Sequence, residues 1–77
     1  MMIEGAMITW TDTPNSSNVK RVGFDDETQD VQVEFASGGI YVVPGAGPTV
    51  AADMAASQSP GQWYNRNIRN QFPVRKL

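Results

Sequence analysis

The chain has neither cysteine nor histidine. Disulfide bonds and the tetrahedral zinc sites built on thiolate or imidazole ligands are therefore excluded. Histidine is also the side chain used most often for general acid–base catalysis. Nucleophilic serine would need a neighbouring base, and Ser16 and Ser17 lie in no nucleophile-elbow motif. We therefore expect a non-enzymatic protein that requires no cofactor and no metal ion, with Ser16 capping a turn.

Long apolar segments are lacking as well. No stretch approaches the roughly 20 apolar residues that a membrane helix needs. The N-terminal residues lack the basic start and apolar run of a signal peptide. We expect a cytoplasmic protein without a membrane partner, in the host cytoplasm if a phage encodes it. Met7 offers an alternative start, so residues 1–6 are expected to form a tail outside the fold.

What the chain does contain is the composition of a small folded domain, with 40% apolar and 18% charged residues in 77. A domain of this size hides only about 60% of the surface that its unfolded chain exposes. The core must therefore be thin, and a deep catalytic cleft is not expected. Because self-association is one way that such domains gain stability, a homo-oligomer is an expectation of size alone.

Three strands are predicted: 19–24, with imperfect alternation, 31–35, with alternating apolar residues, and 40–43, an apolar run after a hairpin turn. The acidic stretch 25–30 joins the first two, and it lacks the glycine at position six and the glutamate at position twelve of an EF-hand loop, so a solvated turn is expected. Ser37, Gly38 and Gly39 supply the positive-φ positions of a tight hairpin before the third strand. That strand is apolar on both faces, which favours a central position in the sheet or a second covering surface.

Two helices follow. The first is predicted from Thr49 to Ser57, with a small-residue face against the sheet. The second begins at Pro60, where Ser59 and Gln62 have the spacing of a capping box, and it is predicted to end at Pro73. Its buried stripe is formed by side chains at successive i, i+4 positions: Tyr64, Ile68 and Phe72.

The expected fold is therefore α+β, with a three- to four-stranded antiparallel meander followed by two short C-terminal helices packed on the sheet. Residues 16–77 form the domain, and residues 1–15 form an N-terminal segment in which Ile8 and Trp10 can add an edge strand.

Basic charge is concentrated at the end of the chain. Residues 63–77 contain four basic side chains and no acid, although the net charge is -2. On the second helix, Trp63, Arg66 and Asn70 fall opposite the apolar stripe, with Arg69 at its edge. An exposed aromatic ring can stack on a base, and arginine can hold a phosphate through two hydrogen bonds. The alternative is that Trp63 packs on the segment around Ile8 and Trp10 and that the arginines are only solvated.

Several short motifs occur here in the order and spacing of a known family, and the chain resembles the KTSC domain. They span about fifty residues: S-S-N-V from Ser16, V-G-F-D from Val22, V-E-F from Val33, G-G-I-Y from Gly38, and S-P-G-Q-W-Y-N-R-N-I-R from Ser59. The chain departs from the family where a Y-x-Y pattern is replaced by Tyr41, Val42 and Val43. Members look like small free-standing bacterial or phage proteins, or like an appendage of lysyl-tRNA synthetase, and that location implies RNA binding by association.

Three functions remain open at this stage. The first is an accessory module that binds RNA or single-stranded DNA. The second is an oligomer that binds or sequesters a small nucleotide, and the third is a structural or interaction protein of a phage or bacterial assembly. The candidate nucleic-acid or nucleotide-binding residues are Trp63, Arg66, Arg69, Asn70, Tyr41, Arg75 and Lys76.

Overall fold

The computed structural model describes residues 8–77, in which five antiparallel strands form one sheet and two short helices cover one of its faces. The strands are β1 (Ile8–Asp12), β2 (Val19–Asp25), β3 (Asp30–Phe35), β4 (Ile40–Val43) and β5 (Arg75–Lys76), and the helices are α1 (Pro48–Ala56) and α2 (Pro60–Asn67). The strands lie side by side in chain order. The expected α+β meander with C-terminal helices is confirmed, and the N-terminal edge strand is present as β1. The expectation for residues 1–6 lies outside the described residues.

The core lies between the sheet and the helices. In each strand every second side chain points toward the helices, because successive residues of a strand face opposite sides. A register shift between Val19 and Arg21 explains how Val19 and Val22 both reach this core although their spacing breaks strict alternation. The fully or almost fully buried members are Val19, Val22, Val31, Val33, Val43, Ala51, Met54, Tyr64 and Ile68.

Apolar side chains of β4 are buried on both faces of the sheet. Val43 pairs with Val31 and belongs to the main core, whereas Val42 pairs with Gln32 and lies on the opposite face, where it is 2% exposed. β4 is held between β3 and β5, so it is not an edge strand. The predicted central position is therefore confirmed. β5 was not anticipated, because two charged residues after a proline show no alternation.

Both hairpin turns form. Of the three residues expected to supply positive-φ positions between β3 and β4, Gly38 does so, with a φ of 102°, whereas Ser37 and Gly39 do not. In the β2–β3 turn the carboxylate of Asp25 accepts hydrogen bonds from the backbone N–H of Glu27, at 2.9 Å, and of Thr28, at 3.4 Å. The carboxylate of Asp30 accepts a bond from the Gly45 N–H at 2.8 Å. The acids of this turn therefore order their own loop and the start of the connection to α1.

The second helix differs from its prediction in two ways. Ser59 makes no side-chain cap, so the capping box is absent. The helix ends at Asn67 instead of continuing to Pro73, and the Arg69 N–H bonds to the Tyr64 carbonyl at 3.1 Å in a wider closing turn. The chain must reverse here to bring β5 back to β4, which explains the early end. Phe72 still packs against the core from the turn, so the apolar stripe is kept.

On the face of the sheet away from the helices, Trp10 lies over Gly23. A Cβ added at Gly23 would stand 2.9 Å from two carbons of the Trp10 ring and 3.0 Å from Ile8. The guanidinium of Arg21 lies 4.0 Å from the centre of the same ring and also pairs with Glu34. A cation over an aromatic face is attracted by the ring quadrupole. Gly23 is thus the position that lets the indole dock flat on β2.

Replacing Gly23 with alanine is expected to destabilise the domain by about 1–3 kcal/mol, the usual cost of overpacking a well-packed site. Denaturant unfolding measures the change. Gly39→Ala is the matched control, because its added Cβ would approach a Tyr41 carbon only to 3.4 Å. The additional change Trp10→Ala should shrink the penalty, and an undiminished penalty would show that the indole does not fill this space.

Candidate functional site

A cleft of about 710 Å³ opens between α2 and one end of the sheet. One wall is α2 with the turn after it, and the other comes from the segment before β2, the β3–β4 turn and β4. The lining residues are Ser17, Asn18, Phe35, Ala36, Ser37, Tyr41, Gly61, Tyr64, Asn65 and Arg69. Small-molecule sites in proteins are usually about 300–1,000 Å³, so the cleft has the size for a ligand such as one nucleotide.

Three aromatic rings form the interior of the cleft. Phe35 stands between Tyr41, with ring centres 5.4 Å apart, and Tyr64, with ring centres 5.3 Å apart. Both pairs are nearly perpendicular, at 89° and 84°, which is the edge-to-face geometry that aromatic quadrupoles favour. Because the three rings come from β3, β4 and α2, their packing fixes the helix on the sheet and shapes the cleft together.

Gly61 brings the start of α2 against the segment before β2. A Cβ at Gly61 would stand 3.3 Å from both Cβ and Nδ2 of Asn18, so a larger residue would crowd Asn18 and require it to shift slightly. The backbone of Asn18 is fixed in turn, since Ser16 Oγ accepts hydrogen bonds from the N–H of Asn18, at 3.2 Å, and of Val19, at 2.9 Å. The predicted turn-capping role of Ser16 is thereby confirmed, and the Asn18 carboxamide is positioned at the rim.

The electrostatics of the cleft favour an anion. Arg69 is the charged side chain among the described lining residues, and no carboxylate is among them. Lys76 lies directly opposite Tyr41 in the β4–β5 register and so adds a second positive charge beside the rim. The acids of the β2–β3 turn lie at the far end of β3, about 17 Å away at 3.3 Å per residue.

Burial raises the pKa of Tyr64 above its ordinary value of 10.0. The nearby phenol of Tyr41 acts in the same direction, and the positive charge of Arg69 acts against both. The Tyr64 hydroxyl therefore stays protonated at neutral pH and is available as a hydrogen-bond donor. That Tyr41 and Arg69 both influence it shows that the three side chains share one environment.

The structure separates the residues that the sequence grouped together. Tyr41 and Arg69 both line the cleft, and Lys76 adjoins it. Arg66 and Asn70 are exposed but are not among the lining residues. Arg75 pairs with Val42 and so belongs to the opposite face of the sheet.

Trp63 is partly buried against the main core and does not line the cleft. Packing is therefore its observed environment, but its neighbours differ from those expected. Trp10 pairs with Gly23, on the face of the sheet that the helices leave uncovered. The two indoles thus lie on opposite sides of the sheet.

Asn18, Phe35, Gly61, Tyr64 and Asn65 were not identified as site residues from the sequence. Tyr64 was assigned only to the buried stripe, and Phe35 only to the inner face of a strand. The sequence did contain one indication that Gly61 and Asn65 belong together, because they are an i, i+4 pair that shares a helix face. Asn18 lies more than forty residues away in the chain, and nothing local in the sequence indicates its approach.

Among residues 8–77, no cluster of three or more acidic side chains is arranged to hold a metal ion. Within the same residues, neither helix has the length and apolarity required to cross a bilayer.

The fold and the cleft together define a small α+β module in which a meander is covered on one face by two short helices. A family model for the KTSC domain matches residues 15–72, and the chain belongs to this family. The crystal structure of a KTSC domain protein from Yersinia pestis superposes with a TM-score of 0.79 at 20% identity, over 91% of this chain and 97% of that one. At that identity, the likeness concerns the fold.

Two relatives are similar in sequence. An uncharacterized protein of Stutzerimonas stutzeri is 32% identical over 56 residues, which cover 73% of this chain and 79% of that protein. A lysine–tRNA ligase of Nostoc punctiforme is 31% identical over 64 residues, or 83% of this chain. The match covers only 11% of the ligase, so it concerns a small part of that enzyme.

The shared environment of Tyr64 can be tested by titration. In a Tyr41→Phe variant Tyr64 is the one remaining tyrosine, and its phenol should ionise above pH 10, because burial alone opposes the charged form. Adding Arg69→Ala should raise this pKa further, since a nearby positive charge is lost. Ultraviolet absorbance of the phenolate measures both changes. Arg66→Ala is the control and should leave the pKa in place; equal shifts from both arginines would contradict the geometry.

Proposed function

We propose that this chain is a non-catalytic module that binds single-stranded nucleic acid, RNA or DNA, by taking one unstacked nucleotide into the cleft. A base packs against the exposed part of Tyr41, and Arg69 holds the adjoining phosphate. Base–aromatic stacking contributes about 1–3 kcal/mol per base, and arginine can grip phosphate through two parallel hydrogen bonds.

The observation that supports this function is the juxtaposition of Arg69 with Tyr41 and Tyr64 in a cleft without lining carboxylates. A ligand with an anionic group and a planar ring could contact both the Arg69 guanidinium and the tyrosine rings. The net charge of -2 does not oppose it. The acidic turn lies about 17 Å from the cleft at 3.3 Å per residue along β3, which is beyond the screening length of about 8 Å at physiological salt.

The relatives agree with a nucleic-acid ligand by association. The lysine–tRNA ligase similar to this chain acts, by its name, on a tRNA. A short module within such an enzyme would add contacts to the same kind of ligand. The association rests on the name of that enzyme, whereas the cleft supports the proposal through its chemistry.

A free nucleotide is the second candidate ligand, and the volume of the cleft favours it. About 710 Å³ accommodates a mononucleotide without any contact to a longer strand. The two candidates differ in whether phosphates outside the cleft contribute. A strand can also contact Lys76 beside the rim, and two neutralised phosphates predict a salt slope of roughly -1.4 for single strands.

Replacing Arg69 with alanine should weaken the binding of a labelled ten-nucleotide RNA roughly tenfold or more, because hydrogen bonds to charged groups contribute about 1.5–3 kcal/mol. Fluorescence anisotropy at several salt concentrations measures both the affinity and the salt slope. The native tryptophans are unsuitable probes, since neither lines the cleft.

Arg66→Ala is the matched control for this experiment. It removes the same charge from the last turn of α2, three residues before Arg69, but Arg66 does not line the cleft. Its loss should change the affinity only slightly through long-range attraction. Equal losses from the two variants would indicate a diffuse basic surface and would contradict a specific site. Competition by a mononucleotide at stoichiometric concentration would favour the second candidate.

A further inference from the structure

Two carboxamides line the cleft, Asn18 from the segment before β2 and Asn65 from α2. Asn65 is one turn beyond Gly61 on α2, and residues at i and i+4 are neighbours about 5–6 Å apart. Asn18 packs directly against Gly61, with Nδ2 3.3 Å from the position of an added Cβ. Both carboxamides therefore belong to the part of the cleft beside Gly61.

Both side chains are available to a ligand. Asn18 and Asn65 are exposed residues, and none of the side-chain hydrogen bonds within residues 8–77 involves either carboxamide. This differs from Asn67 on the same helix, whose Nδ2 donates to the Trp63 carbonyl at 3.1 Å. A carboxamide presents an acceptor and a donor in one plane, which is the arrangement that reads the edge of a base.

The chemistry of the lining favours these two residues for contact with a base edge. Arg69 and Lys76 are cations suited to phosphate, and the rings of Phe35, Tyr41 and Tyr64 offer apolar surface. Serine and tyrosine hydroxyls also line the cleft, but among the described lining residues only the two carboxamides hold a donor and an acceptor on separate atoms of one plane. Paired donor and acceptor groups of asparagine match adenine, through its N6 amino group and N7, whereas arginine is the usual partner of guanine.

Building on the proposed function, we propose that the cleft selects adenine, with the carboxamides of Asn18 and Asn65 reading the edge of the bound base. The ligand class is then an adenine nucleotide unit within a single strand. Gly61 is a positioning residue for this selection, because the absence of a side chain there gives Asn18 its close approach to α2.

The test compares three labelled ten-nucleotide RNAs, made of adenine, cytosine or uracil alone, by fluorescence anisotropy. The unmodified protein should bind the adenine strand about tenfold more tightly than the other two, within the range for one bidentate contact. In Asn18→Ala and Asn65→Ala this preference should fall to about twofold or less. Residual binding of all three strands should persist through Arg69.

Asn70→Ala is the matched control, since it removes an exposed carboxamide that does not line the cleft. It should keep the full adenine preference, and circular dichroism shows whether each variant is folded. Equal binding of the three RNAs by the unmodified protein would overturn the adenine inference while leaving the proposed function intact. A preference that survives both cleft variants would overturn the assignment to these carboxamides. No binding of any strand would overturn the proposed function as well.

Discussion

The edge-to-face packing of Phe35 between Tyr41 and Tyr64 is the interaction on which the rest of this structure depends. It joins two adjacent strands to the second helix, and it does so at the end of the sheet where the cleft opens. In a domain with a thin core, the contacts of Phe35 with these two rings add to the limited apolar surface that can be buried. The contact between α2 and the sheet therefore also defines the cavity beside it, and the stability of the domain and the proposed ligand binding depend on one cluster.

Much of the fold can be predicted from local patterns in the sequence. Alternating apolar residues specify β3 and, from Val22 to Phe24, part of β2; glycine at position 38 specifies the hairpin, and two apolar faces indicate that β4 is not an edge strand. The remaining elements depend on contacts between distant parts of the chain. β5 contains only Arg75 and Lys76, and it forms because β4 would otherwise have an unpaired edge. The pairing of β5 with β4 also requires α2 to end before Pro73, since a longer helix would carry the chain past β4.

The candidate site was less accessible to sequence reasoning than the fold. The helical wheel grouped Trp63, Arg66 and Asn70 with Arg69 because it considers one helix in isolation. Packing against the sheet determines which side of that helix faces the cleft. The residues on that side are Gly61, Tyr64 and Asn65, and Arg69 joins them from the turn after the helix. Tyr41 and Arg69 were recognisable because an aromatic ring and a cation have binding chemistry wherever they occur. Asn18 acquires significance only from its contact with a glycine more than forty positions away.

The distribution of charge along the sheet reconciles an acidic protein with an anionic ligand. The β2–β3 turn gathers acidic side chains whose carboxylates bond to backbone N–H groups of their own and the neighbouring loop. The β3–β4 end holds the cleft, with Arg69 in its wall and Lys76 beside it. Because β3 separates the two ends by about twice the screening length, an approaching phosphate responds to the local charge and not to the net charge. Under the proposed function, Arg69 and Lys76 would attract a phosphate to this end of the sheet before contact.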